Sequence, residues 1–197
     1  RDSAQAVERK DLCDTVAVAT PLGEVALRRR ARDVKVVDFI QFFNQHELPE
    51  LRLRLAEMAP FVDEIHIAEG TRDFAGAHRE LLWPTVSRSD AAIAEHLGKI
   101  TYHPVEVPPG AWGYAIQEAI LAPRLRVPGR GVMVEGDLDE IVRRDVLQAM
   151  RSCEPADGRG WDANVKMTLY SFSMAWTTGD WSAPPLVRDF DHTAGAP

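Results

Sequence analysis

Long apolar runs and cysteines are scarce in this 197-residue sequence. No stretch approaches the roughly 20 apolar residues that span a bilayer, and no charged n-region followed by an apolar h-region opens the chain. We therefore expect a soluble chain without a visible signal or membrane-spanning segment. The two cysteines, Cys13 and Cys153, lack the spacing of a metal site; free thiols are the favoured expectation, and pairing is the alternative.

An excess of positive charge is also missing. The 30 acidic and 23 basic residues leave a formal net charge of −7. This balance argues against nucleic acid or an anionic membrane surface as a partner. An acidic protein that handles an anionic substrate needs a metal ion or local Arg and Lys side chains to offset the repulsion. The hydrophobic content of 45% is enough for one good core.

What the sequence does contain is an alternation of strand and helix patterns. Strands are predicted at 34–40, 64–68, 99–102 and 131–134, helices between Pro49 and Pro60 and at 87–97, 112–121 and 145–150, and a longer strand at 164–172. This pattern indicates an α/β fold of Rossmann type, with a mixed, mainly parallel sheet flanked by helices. The predicted organisation is an N-terminal extension at 1–33, one α/β domain at 34–190 and a tail at 191–197.

The segment GVMVEGDLDEI, residues 131–141, carries the most informative pattern. A short apolar run typical of a buried central strand is followed by four carboxylates within six residues. In extended backbone, side chains two positions apart share a side, so Asp137 and Asp139 can face one point. Such a pair suits Mg²⁺ or Mn²⁺, and the carboxyl end of a strand is where open α/β sheets bind ligands. The alternative is an acid-rich surface turn; Gly136, which lets a ligand approach the backbone, favours the metal site.

Five segments carry a family resemblance. They are 36–44 with 47–53, 62–76, 108–112 with Gln117, 136–141, and 169–172 with Trp176 and Trp181. In this order they resemble glycosyltransferase family 17, which includes the N-acetylglucosaminyltransferase III enzymes. The match of Gly136-Asp137-Leu138-Asp139-Glu140-Ile141 is to a Ser-Asp-Val-Asp-Glu-Ile motif of the family. The resemblance covers about residues 34–187.

The resemblance implies a GT-A-like fold, a UDP-sugar donor (UDP-GlcNAc), Mn²⁺ or Mg²⁺, and transfer of the sugar with inversion to a glycan or other hydroxyl acceptor. Asp137 and Asp139 would hold the metal against the diphosphate. A base on the face opposite the leaving group would take the proton from the acceptor hydroxyl. The implied compartment is the Golgi lumen for a trimmed eukaryotic enzyme and the cytoplasm for a microbial one.

Three groups of residues are assigned roles on this basis. The donor-binding residues are predicted to be Phe42, Asn44, Glu69, Gln117, Asp137, Leu138 and Glu140. Trp112, Trp176 and Trp181 are predicted to stack on the acceptor, although a partly buried anchor is the commoner role of a tryptophan. Asp180, Asp189 and His192 are the candidates for the catalytic base, by their late position in the chain.

Other functions remain open at this point. One alternative is a non-catalytic domain that binds nucleotide-sugar or glycan. Glu118-Ala119 favour it, because the family has Arg-Asn at these positions and the change would weaken contacts with the donor or its phosphates. A phosphatase of the haloacid-dehalogenase type also places Asp-x-Asp after an apolar strand, but near the start of its domain. A sugar nucleotidyltransferase would need a glycine-rich, basic loop after its first strand, and residues 41–47 contain no Gly, Lys or Arg.

Overall fold

The computed structural model describes residues 12–14, 18–20, 23–165, 168–170, 177–180 and 185–193. The strands are β1 (Val18–Thr20), β2 (Gly23–Val25), β3 (Leu27–Arg29), β4 (Lys35–Gln41), β5 (Glu64–Gly70), β6 (Ile100–Val105), β7 (Gly129–Gly136), β8 (Cys153–Pro155), β9 (Asp162–Asn164), β10 (Thr168–Tyr170), β11 (Thr177–Asp180) and β12 (Leu186–His192). The α-helices are α1 (Leu48–Met58), α2 (Trp83–Ser89), α3 (Ala91–Ala94), α4 (Tyr114–Leu121) and α5 (Arg144–Ser152). Short 3₁₀ segments lie at Gln45–Glu47, Leu97–Lys99 and Ala122–Arg126.

A six-stranded sheet forms the centre of the fold, in the order β6-β5-β4-β7-β12-β9. The first four of these strands are parallel, and β12 runs antiparallel to both of its neighbours. The chain builds β4, β5 and β6 outward in one direction and then returns to place β7 on the other side of β4. The order of the strands therefore reverses between β4 and β7, and a crevice at the carboxyl ends of such strands is the usual ligand site of an open α/β sheet.

Both faces of the sheet are covered, which explains the nearly continuous burial of β4, β5 and β7. One face packs its apolar side chains against α1 and α5, in a core that includes Leu51, Leu55 and Leu147. The other face packs against α4 through Ile116 and Ile120. The predicted α/β class, Rossmann type and mainly parallel sheet are thus confirmed.

Most predicted elements occur, with shifted boundaries. The helix predicted after Pro49 is α1, and Leu51, Leu55 and Met58 are all buried on its inner face. The single helix predicted at 87–97 is wrong: two shorter helices, α2 and α3, replace it. Asp90 separates them because it has extended backbone and its carboxylate caps the first turn of α3. The predicted strand at 164–172 extends partly beyond the described residues, which show β9 and β10 there.

Cys13 and Cys153 form a disulfide, with their Cα atoms 5.8 Å apart. The expectation of free thiols is therefore wrong. The two cysteines are 140 positions apart in the sequence, so their spacing does not predict that they are close in space. They meet where β3 pairs with β8 beside the end of α5. No helix in the described part of the chain is long and apolar enough to cross a membrane.

Two histidines on neighbouring strands, buried His66 on β5 and half-buried His103 on β6, form a pair on the second face of the sheet. His66 Nε2 lies 3.2 Å from Glu64 Oε2, and His66 Nδ1 lies 2.8 Å from His103 Nε2. When both rings are neutral, His66 donates to the carboxylate and accepts from His103. Burial lowers the pKa of both histidines, and Lys35, which pairs with Glu64 at 2.6 Å, adds to the effect on His66. These contacts give His66 a structural role.

We expect this pair to make stability depend on pH. The unfolded histidines titrate near 6.5, so just below that pH the unfolded chain binds protons that the folded chain does not. The free energy of unfolding should therefore be largest above about pH 6.5 and fall as the pH is lowered through this window. Urea titrations at several pH values would measure the slope. The His66→Gln/His103→Gln double variant should flatten it, whereas exposed His78→Gln should not; equal slopes in all three proteins would contradict the prediction.

Candidate active site

The crevice between β4 and β7 is bridged by one hydrogen bond. Gln41, the last residue of β4, donates from Nε2 to Asp137 Oδ1 at 2.6 Å. Asp137 is the first residue after β7. The sequence pattern and the topology thus place the acidic segment at the point where the strand order reverses.

A buried ion pair holds the acidic loop, residues 137–140, in place. Arg54 of α1 is fully buried and binds both oxygens of buried Asp38 on β4, at 2.9 and 2.7 Å. Its remaining terminal nitrogen, Nη1, donates to the carbonyl oxygens of Asp137, Leu138 and Glu140 at 2.8, 3.3 and 2.9 Å. The loop backbone is therefore held in place by hydrogen bonds from a buried guanidinium group.

The side chains of the loop alternate between solvent and core. Asp137 and Asp139 are exposed, whereas Leu138 and Glu140 are buried. Leu138 joins the hydrophobic core, and Glu140 Oε2 accepts from the backbone N–H of Asp137 at 2.7 Å. The loop turns at Leu138 and Asp139 instead of continuing the strand, because the Glu140 N–H returns to the Asp137 carbonyl at 3.0 Å. Both predicted metal ligands still face the same cavity.

That cavity, which we call the first cavity, has a volume of about 340 Å³. Its walls come from the end of β4, the 3₁₀ turn at Gln45–Glu47 and the acidic loop. The rings of Phe43 and Phe74 stack at its edge with centroids 4.5 Å apart. Asn44 caps the 3₁₀ turn: its Oδ1 accepts from the His46 N–H at 2.8 Å, and its Nδ2 donates to Glu47 at 2.9 Å.

Negative charge dominates the first cavity. Glu47, Glu50, Asp137 and Asp139 line it, and among the described lining residues there is no Lys or Arg. Burial raises the pKa of Glu47, and the charge of Asp137 acts in the same direction. Hard carboxylate oxygens on one wall fit Mg²⁺ or Mn²⁺. The described residues contain no group of three or more His, Cys, Asp or Glu side chains arranged to bind a metal. Asp137 and Asp139 are the two predicted metal ligands that line this cavity.

A second cavity of about 290 Å³ adjoins the first, and Gln41 and Asp137 line both. Its other walls are α4, the end of β7 and the start of β12. Glu135 is buried there between two guanidinium groups, with Arg124 Nε 3.1 Å from Oε2 and Arg188 Nε 2.9 Å from Oε1. Burial raises the pKa of Glu135 against the pull of the two arginines.

The predicted donor residues divide into several groups. Phe42 is fully buried in the core, and it is Phe43 that lines the first cavity, because side chains alternate along the extended backbone. Asn44, Leu138 and Asp137 line the first cavity as expected. Gln117 and Glu140 line the second cavity. Five of the seven predicted donor residues thus line one or both of the two adjoining cavities, and Phe42 and Glu69 line neither.

Glu69 lies away from both cavities. It is fully buried, and its oxygens accept from the backbone N–H groups of Leu82 and Trp83 at 2.7 and 3.0 Å and from the Tyr102 hydroxyl at 2.9 Å. Arg79 pairs with it at 3.4 Å. A carboxylate at the N-terminus of α2 is favourable for the helix dipole, so these contacts give Glu69 a structural role.

Of the predicted acceptor residues, Trp112 is 76% exposed. It lies in the loop before α4, and the N–H of the next residue, Gly113, donates to the Phe74 carbonyl at 3.0 Å, which connects this loop to the rim of the first cavity. Tyr114, which the sequence analysis did not single out, is 86% exposed beside it. Trp176 and Trp181 lie outside the described residues.

Two base candidates are not brought to the crevice. Because β12 runs antiparallel to β7, its later residues recede from the acidic loop: Asp189 lies opposite Val132 and His192 opposite Gly129. At about 3.3 Å per residue, Asp189 is roughly 13 Å along the strand from Gly136. Asp189 instead accepts from the Trp161 N–H at 3.0 Å, and His192 Nδ1 lies 2.7 Å from the Val127 carbonyl. The Asp180 backbone ends β11, and its side chain is outside the described part of the structure.

Sequence reasoning missed the residues that assemble the site. Gln41, Arg54 and Arg188 come from separate elements and form no motif. One signal was available for Arg54: a charged residue at position 54 lies beside Leu51 and Leu55 on the inner face of an amphipathic helix. A buried arginine requires a buried acidic partner, and Asp38 within an otherwise apolar strand fits that requirement.

The geometry describes a Rossmann-type α/β protein with an acidic crevice at the switch point of its sheet. Comparison with protein families gives a match to glycosyltransferase family 17 over residues 14–194, nearly the whole chain. The chain belongs to this family, the family of N-acetylglucosaminyltransferase III, and family membership makes it a glycosyltransferase. Comparison with curated proteins and with solved structures gives no match.

Replacing the buried arginine should destabilise the fold strongly. Arg54→Met leaves the Asp38 charge buried and removes the donor for three loop carbonyls, so we expect a loss of about 3–5 kcal/mol in the free energy of unfolding. Arg52→Met on the same helix is the matched control. Arg52 pairs with Asp90 at 2.6 Å but is half exposed, so about 0–1 kcal/mol is expected. Urea denaturation measures both, and equal losses would contradict the assigned role of Arg54.

Gly136 should not tolerate a side chain. A Cβ there would lie 2.6 Å from Glu140 Oε2 and 2.8 Å from Pro185 Cβ, where Glu140 holds the Asp137 N–H. Gly136→Ala should therefore cost about 1–3 kcal/mol by overpacking. Gly98→Ala, whose Cβ would meet nothing within 4 Å, is the control. Thermal unfolding of both variants provides the test, and a Gly136→Ala protein as stable as the control would show that the loop is not closely packed.

Proposed function

We propose that the protein transfers a sugar, GlcNAc, from a UDP-sugar to a hydroxyl group of a glycan or other acceptor, with inversion at the anomeric carbon and a requirement for Mn²⁺ or Mg²⁺. The observation that carries this proposal is the exposure of Asp137 and Asp139 to one cavity at the sheet's switch point. The strand order and the acidic crevice also suit the GT-A-like fold that the family resemblance implies.

The first cavity is the proposed nucleotide site. Phe43 and Phe74 offer aromatic surface at its rim, and Phe74 is 47% exposed, so a uracil ring can stack there. Asn44 and the capped 3₁₀ turn would face the ribose. The diphosphate would then lie toward Asp137 and Asp139, which line the same cavity.

The metal requirement follows from charge. Four carboxylates line the first cavity, so a diphosphate would be repelled unless a cation lies between. Asp137 and Asp139 would hold Mn²⁺ or Mg²⁺, which offsets the charge that develops on the departing UDP. The chain contributes a fixed geometry: Arg54 holds the loop carbonyls, and Gln41 orients the Asp137 carboxylate.

The acceptor is proposed to approach over the exposed rings of Trp112, in the loop before α4, and Tyr114, the first residue of α4; Gly113 between them donates to the Phe74 carbonyl. Aromatic rings of this kind stack on the apolar faces of sugars. Asp180 is retained as the proposed base, because Asp189 and His192 are directed away from the crevice by the direction of β12. The side chain of Asp180 would have to reach the acceptor hydroxyl to serve this role.

Binding of the donor is the direct test. At a hundredfold excess over its Kd, a ligand that binds only the folded protein raises stability by about 2.7 kcal/mol. UDP-GlcNAc with Mn²⁺ should raise the melting temperature, whereas UDP-GlcNAc with EDTA should not. Asp139→Asn should lose the effect, and Asp162→Asn, an exposed residue on β9, should retain it.

The outcomes separate the alternatives. If no UDP-sugar stabilises the protein under any metal, the proposed donor is wrong. If UDP-GlcNAc and Mn²⁺ bind but neither donor hydrolysis nor transfer occurs, the chain is a nucleotide-sugar-binding domain without turnover. The residues Glu118-Ala119 on α4 make that second outcome a specific alternative, since the resembling family has Arg-Asn at this position.

A further inference from the structure

Arg79 lines neither cavity, but its side chain joins the ends of two central strands. Its Nε donates to the carbonyl oxygen of Gly70, the last residue of β5, at 2.9 Å. Its terminal nitrogens donate to the carbonyl oxygens of the two residues that follow β4, at 3.1 Å for Phe42 and also for Phe43. Each of the three guanidinium nitrogens thus has a protein acceptor, so this arginine is not directed at a ligand.

These contacts hold Phe43, whose ring lines the first cavity. The Phe43 carbonyl accepts from Arg79, and the Phe43 N–H donates to Glu47 Oε2 at 2.8 Å, so its backbone is held on both sides. The guanidinium carbon of Arg79 also lies 5.8 Å from the centroid of the Phe43 ring, within the range of a cation–π contact. One side chain therefore fixes both the backbone and the ring of Phe43.

Arg79 also holds the loop that carries Phe74. Its backbone N–H donates to the Thr71 carbonyl at 2.9 Å and closes the loop, inside which the Asp73 carboxylate accepts from two backbone N–H groups. The Phe74 ring is stacked on Phe43 with the centroids 4.5 Å apart. Because the two rings are already in contact, a base cannot enter between them without separating them, and it has to stack on the exposed surface of the pair.

The position of Arg79 is set from the protein interior. Its Nη2 lies 3.4 Å from Oε1 of fully buried Glu69, which also binds the first N–H groups of α2 and the Tyr102 hydroxyl. The Arg79 side chain is itself only 15% exposed. The aromatic pair is therefore formed without a ligand, and a preformed surface avoids the cost of ordering side chains when a ligand binds.

We propose that Arg79 is a positioning residue for nucleotide binding: it holds Phe43 and Phe74 as a preformed aromatic wall for the base and does not touch the nucleotide. This inference rests on the proposed function for the nucleotide in the first cavity. It assigns Arg79 to the base, whereas the metal and the diphosphate depend on the acidic loop.

Arg79→Met tests this role, with Arg88→Met as the matched control. Arg88 on α2 also donates to a backbone carbonyl, that of Pro84 at 2.7 Å, but it is exposed and lines neither cavity. Calorimetry with Mn²⁺ compares UDP with pyrophosphate, which has the diphosphate but no base. Arg79→Met should weaken UDP about tenfold and leave pyrophosphate within about twofold, whereas Arg88→Met should change neither.

Two further measurements separate positioning from a general structural role. In the protein without ligand, the NOE between the Phe43 and Phe74 rings should be weaker in Arg79→Met than in wild type and unchanged in Arg88→Met. Arg79→Lys keeps a positive charge beside Glu69 but not the forked geometry that reaches several carbonyls. It should also weaken UDP selectively, by less than Arg79→Met, and it provides the same test if Arg79→Met does not fold.

The outcomes distinguish this proposal from the proposed function. If wild type binds UDP and the Arg79 variants bind it equally well, the positioning role is refuted and the nucleotide site stands. Equal weakening of UDP and pyrophosphate would also refute it, because the effect would then not be specific to the base. If wild type binds ADP instead of UDP and Arg79→Met weakens ADP selectively, the positioning role stands and the proposed donor fails. If neither nucleotide binds wild type, both proposals are refuted.

Discussion

The buried guanidinium of Arg54 is the constraint on which the rest of the crevice depends. It lies out of reach of water, so the protein must supply partners for its donors. Asp38 accepts from Nε and Nη2, and the carbonyl oxygens of the acidic loop accept from Nη1. One side chain thereby connects α1, β4 and the loop after β7. The loop geometry is set by a neighbour more than eighty residues earlier in the chain.

Charge is distributed unequally on the two sides of Asp137. The first cavity collects carboxylates without a described basic residue in its lining, whereas the second contains two arginines directed onto one buried glutamate. The boundary between them is the Gln41 amide, which donates to Asp137. In a protein with a net charge of −7, a cavity lined by carboxylates therefore adjoins one in which arginines offset part of the acidic charge.

Local pattern was sufficient for the sheet class and for the position of the acidic loop. Apolar runs identified β4, β5 and β7, and the spacing of Asp137 and Asp139 indicated that the two carboxylates face one point, as they do in lining one cavity. Features that depend on distant pairing were not accessible in this way. The direction of β12 decides where Asp189 lies, and only the folded chain brings Arg188 beside Glu135. Phe42 and Phe43 were ambiguous because adjacent aromatic residues match either face of an extended chain.

The disulfide between Cys13 and Cys153 closes most of this chain into a covalent ring. The ring contains β4 to β7, the acidic loop and α5, whereas β12 lies outside it and is held to β7 by strand pairing and by the ion pair between Arg188 and Glu135. One backbone cut within the ring, for example in the exposed loop at 71–79, opens it without separating the two pieces. The first cavity is built entirely inside the ring, but Arg188 of the second cavity is not. The first cavity is thus lined only by residues inside the disulfide-closed ring, whereas the second also depends on a strand outside that ring.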